Sequence, residues 1–256
     1  MNLHHETPSG DVQIWHGDAL AGLPCEVDCL IADPPYSERT HVKSSPAVFL
    51  GTVTGSGNET RRRELDYMSW TPEHVAAASL SWHEHTKGWI VIMSDSVLTP
   101  VWERCLAAAG RYVFAPLPFV SPGSRVRLAG DGPSSWTCWV IVARPRHKPY
   151  SNWGTLPGAY ICPPERMPIV GGKPRRLMLA LVNDYSRPGD LVADPCCGAG
   201  TTLWAAQELG RRAVGVDISL EHCELAAQGR PIGGEAGQLD LLSMEEDVPP
   251  RGGDGA

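Results

Sequence analysis

Short apolar runs alternate along this chain with polar, turn-rich breaks, and each run has the length of a buried strand rather than of a helix. Val12-Gln13-Ile14-Trp15, Cys29-Leu30-Ile31-Ala32, Gly88 to Met93, Leu191-Val192-Ala193 and Ala213 to Asp217 are the clearest. Helical patterns fall between them. Thr71-Pro72-Glu73 places an N-cap before a proline at the first helical position, predicting a helix to about Thr86. Thr99 to Ala109 reads as a second helix, stopped by Gly110; Pro174 to Tyr185, Thr201 to Leu209 and Leu220 to Gln228 read as three more. Tyr112 to Pro116 and Trp136 to Ala143 are apolar, β-branched and aromatic, and predict an antiparallel pair late in the sheet. Strand–helix alternation of this kind predicts an α/β fold with an open, mostly parallel sheet.

Three stretches carry no clear period: Ser37 to Trp70, Ser121 to Gly132 and Arg144 to Pro164. Long irregular segments inside a compact domain are usually functional. Residues 1–228 therefore read as one domain with insertions at about 37–70 and 121–165, and residues 229–256, rich in Gly, Pro and acid, as a flexible tail. There are no internal repeats.

The chain has 256 residues, of which 42% are apolar and 20% charged, enough for one sizeable core. No apolar stretch is long enough to span a bilayer, and residues 1–11 lack the basic and apolar blocks of a signal peptide. The expectation is a cytoplasmic protein. None of the eight cysteines forms a CxxC pair, so neither zinc nor a disulfide framework is expected, and the thiols read as small buried groups. Net charge is −7, which taken whole argues against nucleic acid. Its distribution argues the other way. Ser37 to Arg176 holds 17 Lys and Arg against 10 Asp and Glu, and the rest of the chain 5 against 19. A basic middle between acidic flanks suits a protein that turns one face to phosphates.

Two motifs carry the chemistry. Asp194-Pro195-Cys196-Cys197-Gly198-Ala199-Gly200-Thr201-Thr202 follows a strand and opens a helix. Gly198 and Gly200 let backbone N–H groups approach a ligand, and Asp217, at the end of the next strand, can accept hydrogen bonds from ribose hydroxyls. Leu203 stands where a dinucleotide fingerprint has its third glycine, which points to an adenosine-type ligand without a pyrophosphate. The other motif is Asp33-Pro34-Pro35-Tyr36, again directly after a strand. The exocyclic amine of a base is a poor nucleophile because its lone pair is delocalised into the ring. A carboxylate (Asp33) and a rigidly aimed carbonyl (Pro34) that accept its two hydrogens favour the more tetrahedral nitrogen of the transition state. The prolines stiffen the loop, and Tyr36 offers a face for an extruded base.

In this order the two motifs resemble those of the amino-methyltransferases of DNA, in particular their permuted, β-class group, over residues 12 to 228. The resemblance implies a Rossmann-like, seven-stranded methyltransferase fold, mostly parallel with one antiparallel strand, and a small DNA-recognition insertion. It implies S-adenosylmethionine as methyl donor, no metal, double-stranded DNA as substrate and, as in many such enzymes, a homodimer. Asp33, Pro34, Pro35 and Tyr36 match the catalytic motif, in the Asp form that leans toward adenine N6. Asp18 and Ala19, within Gly17-Asp18-Ala19-Leu20, match a stretch near the cofactor adenine. Gly172-Lys173-Pro174 matches the motif that closes the pocket near the cofactor carboxylate. Asp194, Cys196, Gly198, Ala199, Gly200 and Thr201 match the cofactor loop, and Asp217 the ribose-binding acid. Two features depart from the pattern: Cys196 stands in place of an aromatic residue, and Met167 to Gly172 lacks the usual His and Thr. Arg61, Arg62, Arg63, Arg125, Arg127, Arg144 and Arg146 are the expected phosphate or guanine contacts. Cytosine N4 methylation, methylation of RNA or of a protein amide, and a DNA-binding protein with a decayed cofactor site are the alternatives. No nuclease motif is visible, so a modification enzyme is expected, restriction-linked or solitary.

Overall fold

The computed structural model describes residues 1–40, 68–124, 133–147, 153–165, 167–169 and 171–229. Ten strands form one sheet among these residues: β1 (Asn2–Glu6), β2 (Val12–His16), β3 (Cys29–Ala32), β4 (Ile90–Ser94), β5 (Arg111–Val113), β6 (Leu117–Val120), β7 (Thr137–Pro145), β8 (Tyr160–Ile161), β9 (Leu191–Asp194) and β10 (Arg212–Asp217). Five helices lie wholly within the described residues, α1 (Pro72–His85), α2 (Thr99–Ala108), α3 (Arg175–Tyr185), α4 (Thr201–Glu208) and α5 (Leu220–Ala227), and residues 38–40 are helical as well. The strand order is β1-β2-β10-β9-β3-β4-β7-β6-β8, with β5 also on β7.

The run from β2 through β10, β9, β3 and β4 is parallel, and β7 is antiparallel to β4. β5 and β6 both pair antiparallel with β7, Arg111 opposite Pro145 and Val120 opposite Thr137. They act as one strand position broken at Ala115-Pro116, where proline has no N–H to give the ladder. The seven central positions thus reproduce the expected sheet, with β7 the one reversed strand. Two additions were not foreseen. The polar segment 2–6 pairs antiparallel with β2 as an edge strand, its exposure masking it as a strand in the hydropathy pattern. The two-residue β8 pairs parallel with β6 inside a stretch read as irregular.

Period-2 alternation puts successive strand residues into two cores. Cys29 and Ile31 face α3, α4 and α5, with Leu177, Leu181, Leu203 and Cys223. Leu30 and Ala32 face α1 and α2, with Val75, Trp82, Trp102 and Leu106. Trp82 and Trp102 stack at 5.5 Å between ring centres, and Trp70 packs against both. His83 and His85 are half-buried: His83 accepts from the buried Arg111, and His85 Nδ1 lies 2.7 Å from the Ser81 carbonyl. Arg111 also donates to the carbonyls of His83, Thr86 and Gly88, so it fastens the end of α1 to the sheet. No helix among the described residues is long and apolar enough to cross a membrane. The tail from residue 230 lies outside the described residues.

Candidate active site

Five adjacent parallel strands each run into an aspartate at the carboxyl edge of the sheet. Across the edge the order is Asp18 after β2, Asp217 closing β10, Asp194 closing β9, Asp33 after β3 and Asp95 after β4. An apolar strand that must stop at the surface is readily ended by a side chain that bonds the backbone of the following turn, and four of the five do so. Asp18 Oδ1 accepts from Leu20 N–H at 2.9 Å and starts the 3₁₀ turn Ala19–Ala21. Asp194 Oδ1 accepts from Cys196 N–H at 3.0 Å, and its Oδ2 accepts from the Thr202 hydroxyl at 2.5 Å. Asp217 Oδ2 accepts from Gly198 N–H at 2.8 Å, and its Oδ1 from Ser219 N–H at 2.9 Å, with His222 Nδ1 3.2 Å away. Asp95 is bonded more fully than any of these.

Asp33 differs. Its carboxylate turns to side chains: Tyr36 Oη donates to Oδ1 at 3.0 Å and Lys173 Nζ donates to Oδ2. The Lys173 ammonium also lies 5.0 Å from the centre of the Tyr36 ring, and Tyr36 is buried. Lys173 therefore stands where two features of an aminated base would go, a donor on the carboxylate and a group over the ring. The open face expected of Tyr36 is covered here, and the hydroxyl, which stacking alone does not need, has a partner.

The glycine loop faces this carboxylate. Gly198 (φ 52°) and Gly200 (φ 80°) both lie in the left-handed region. A Cβ on Gly198 would come 2.7 Å from Ile169 Cδ1, so the segment ahead of Lys173 packs directly on the loop. Gly200 opens α4, and Ala199 is buried beside it. Ala19 is held from beneath by Trp82 Nε1, which donates to its carbonyl at 3.0 Å.

Cys196 reports how closely these groups gather. Burial pushes its thiol well up, and the negative charges of Asp194, Asp217, Asp33 and Asp18 push it further in the same direction. Burial likewise raises the Asp194 carboxyl to about 7, against the hydrogen bonds from Thr202 and Cys196. Neither Cys196 nor Cys197 is a reactive thiolate in such surroundings. The result is a glycine-lined, acidic recess whose one close cation is Lys173 among the described residues. A pyrophosphate would meet repulsion there. A ligand carrying positive charge and hydroxyl donors would be held, so the donor set suits a sulfonium nucleoside. No group of three or more His, Cys, Asp or Glu suited to a metal occurs among the described residues.

The expected nucleic-acid contacts divide differently. Arg61, Arg62, Arg63, Arg125 and Arg127 lie outside the described residues. Arg144, and Arg146 just beyond the strand, lie at the end of β7 away from the aspartate edge. Because that strand is reversed, Trp139 is level with Ser94 at the catalytic edge and Ala143 with Ile90 at the far one. Arg144 is five residues beyond Trp139, roughly 17 Å along the strand, with its guanidinium 4.6 Å from the Tyr112 ring centre. Sequence reading missed Asp95, although Trp89 to Ser94 ends in an aspartate just as Cys29 to Ala32 does.

Sheet order and the row of aspartates at its carboxyl edge define an open, mostly parallel α/β domain with a candidate site at that edge. Residues 140–228, which include the glycine loop and Asp217, match the family described as DNA methylase. The chain is 36% identical over 105 residues to the type II methyltransferase M1.MboII of Moraxella bovis, an alignment covering 41% of this chain and 34% of that protein. It thus spans about a third of that relative's length. The crystal structure of an M1.HpyAVI–SAM complex superposes with a TM-score of 0.60 at 20% identity, covering 85% of this chain and 98% of the other. The PvuII DNA methyltransferase, described as cytosine-N4-specific, superposes with a TM-score of 0.60 at 12% identity, covering 88% of each chain. The chain is thus similar in sequence to DNA methylases over part of its length and shares the fold of these two solved enzymes.

Proposed function

We propose that this protein transfers a methyl group from S-adenosylmethionine to the N6 amino group of adenine in duplex DNA, after the base is swung out of the helix. The observation that carries this reading is that Asp33 and the glycine loop leave adjacent parallel strands at the same sheet edge, where the segment ahead of Lys173 packs on Gly198 and Lys173 itself bonds Asp33. The cofactor, when bound, supplies an electrophilic methyl group on a sulfonium. The protein does the rest by placement. Asp217 and Asp18 take the nucleoside hydroxyls and base edge, and Gly198, Ala199, Gly200 and Thr201 admit the chain of the cofactor against the backbone. Asp194 and Cys196 shape the loop. Asp33 and the Pro34 carbonyl accept the two hydrogens of the target amine, which localises the nitrogen lone pair toward the methyl group. As the N–C bond forms and the C–S bond breaks, the nitrogen's extra proton leaves through Asp33 to solvent. For the base to enter, Lys173 must move off Asp33 and Tyr36.

Cytosine N4 is the second reading, favoured by the likeness to a cytosine-N4-specific enzyme; the amine chemistry is the same. Incubating the protein with duplex DNA and methyl-labelled S-adenosylmethionine, then analysing the nucleosides, decides between them. N6-methyladenine is expected. N4-methylcytosine would transfer the reading to the second base, and label only in RNA or protein would remove DNA from it. Asp33→Ala is expected to lower transfer by at least about 1000-fold while DNA affinity stays within a factor of a few, because it removes an acceptor used in the transition state.

A further inference from the structure

Asp95 carries more hydrogen bonds than a strand-ending aspartate needs. Oδ1 accepts from Val97 N–H at 3.1 Å and Leu98 N–H at 3.0 Å, at the start of α2. These two bonds cap the turn that leads into α2 and use one oxygen. Oδ2 is given wholly to a different part of the chain: Ser37 N–H at 3.0 Å, the Ser37 hydroxyl, and the Thr40 hydroxyl at 2.6 Å. Ser37 directly follows Tyr36, and both Ser37 and Asp95 are buried. On the far side of residues 41–67, Trp70 N–H donates to the Tyr36 carbonyl at 3.0 Å. Tyr36 is therefore held from the next residue by Asp95 and at its own carbonyl by Trp70, while its hydroxyl meets Asp33.

We propose that Asp95 is a positioning residue for the catalytic tetrapeptide, its Oδ2 tethering Ser37 and Thr40 so that Tyr36 and Asp33 keep their aim into the acidic recess. The inference rests on the methyl-transfer reading above and adds to it a residue that touches neither substrate nor cofactor. Only a carboxylate does both jobs: five donors converge on two oxygens, and hydrogen bonding outweighs burial to hold Asp95 below the usual carboxylate range. Asparagine has one acceptor oxygen. With that oxygen placed toward α2 it still caps the turn ahead of the helix, but its NH₂ then faces the Ser37 and Thr40 donors.

Two variants test this. Asp95→Asn keeps the cap and breaks the tether; Ser37→Ala/Thr40→Val removes both tethering hydroxyls and leaves Asp95 in place. Each is expected to lower kcat by 10- to 100-fold, the cost of a small misplacement of reacting groups. KM and calorimetric Kd for S-adenosylmethionine are expected to stay within about twofold, because the glycine loop is untouched. Thr40→Ser, which keeps its hydroxyl, is expected to retain most of the rate. In parallel, amide exchange of residues 33–40 is expected to quicken at least tenfold in Asp95→Asn, with residues 99–108 unchanged. Wild-type kcat in the Ser37→Ala/Thr40→Val protein, or equal quickening of both segments in Asp95→Asn, overturns the inference. Should the wild-type protein methylate no DNA at all, the methyl-transfer reading falls, and the exchange data alone still decide whether the tether exists.

Discussion

Tyr36 and Lys173 show how far a side chain's surroundings alter what its identity implies. From sequence, Tyr36 is a ring on which a base can stack, so phenylalanine would serve nearly as well. In the folded protein its hydroxyl donates to Asp33 Oδ1 at 3.0 Å. Tyr36→Phe is therefore expected to lose about tenfold in kcat, with Tyr36→Ala losing more; a fully active phenylalanine protein would show that the hydroxyl bond is idle in turnover. Lys173, expected from resemblance beside the cofactor carboxylate, is paired with Asp33. Lys173→Met is expected to reduce kcat more than it weakens calorimetric binding of S-adenosylmethionine. A loss confined to binding would return Lys173 to the role the resemblance implies. Both side chains were legible as candidates because they adjoin motifs; their partners were not, since Asp33 and Lys173 are 140 residues apart.

Elements, not single residues, set how the site answers to pH. β9 carries Asp194 into full burial, where the carboxyl is raised to about 7. An unfolded aspartate releases its proton near 4. Between roughly 4 and 7 the folded protein keeps a proton that the unfolded chain has lost, so this group's contribution falls as pH rises through that window and is level above it. The turn after β4 does the reverse. Asp95 is held below the usual range, so its contribution is present above about 4 and is lost as pH falls through the lower, folded value. Urea unfolding of Asp194→Asn and wild type from pH 4 to 7 checks the first sign: the difference between them is expected to shift in favour of the variant as pH rises. A constant difference would mean that Asp194 titrates alike folded and unfolded.

At the scale of the whole molecule, charge and topology decide which basic residues share the sheet edge of the candidate site, where the proposed duplex would lie. The chain is acidic overall, yet 17 of its 22 Lys and Arg lie between Ser37 and Arg176. Reversal of β7 carries Arg144 and Arg146 to the sheet end opposite Asp33. Changing Arg61, Arg62 and Arg63 together to alanine is expected to reduce the slope of log affinity for duplex DNA against log salt by up to about 3. The same change at Arg144 and Arg146 is expected to leave the slope unaltered. A flattened slope in the second protein would place duplex DNA against the far end of the sheet.

The amino-acid order by itself determined the strand and helix alternation, the central parallel sheet, the glycine loop and four of the five edge aspartates. These are local signals: an apolar run, a turn-forming break and a capping residue act within a few positions of one another. It could not show β1, because an exposed edge strand buries too little to leave an apolar pattern, nor that Tyr112 to Val120 would be one strand position broken at Pro116. Tertiary structure alone decided that Lys173 sits on Asp33, that Asp95 holds Ser37 across 58 residues, and that Arg144 is far from both. Pairings of that kind follow from strand order and direction, which depend on how the whole sheet closes and not on any one segment's composition.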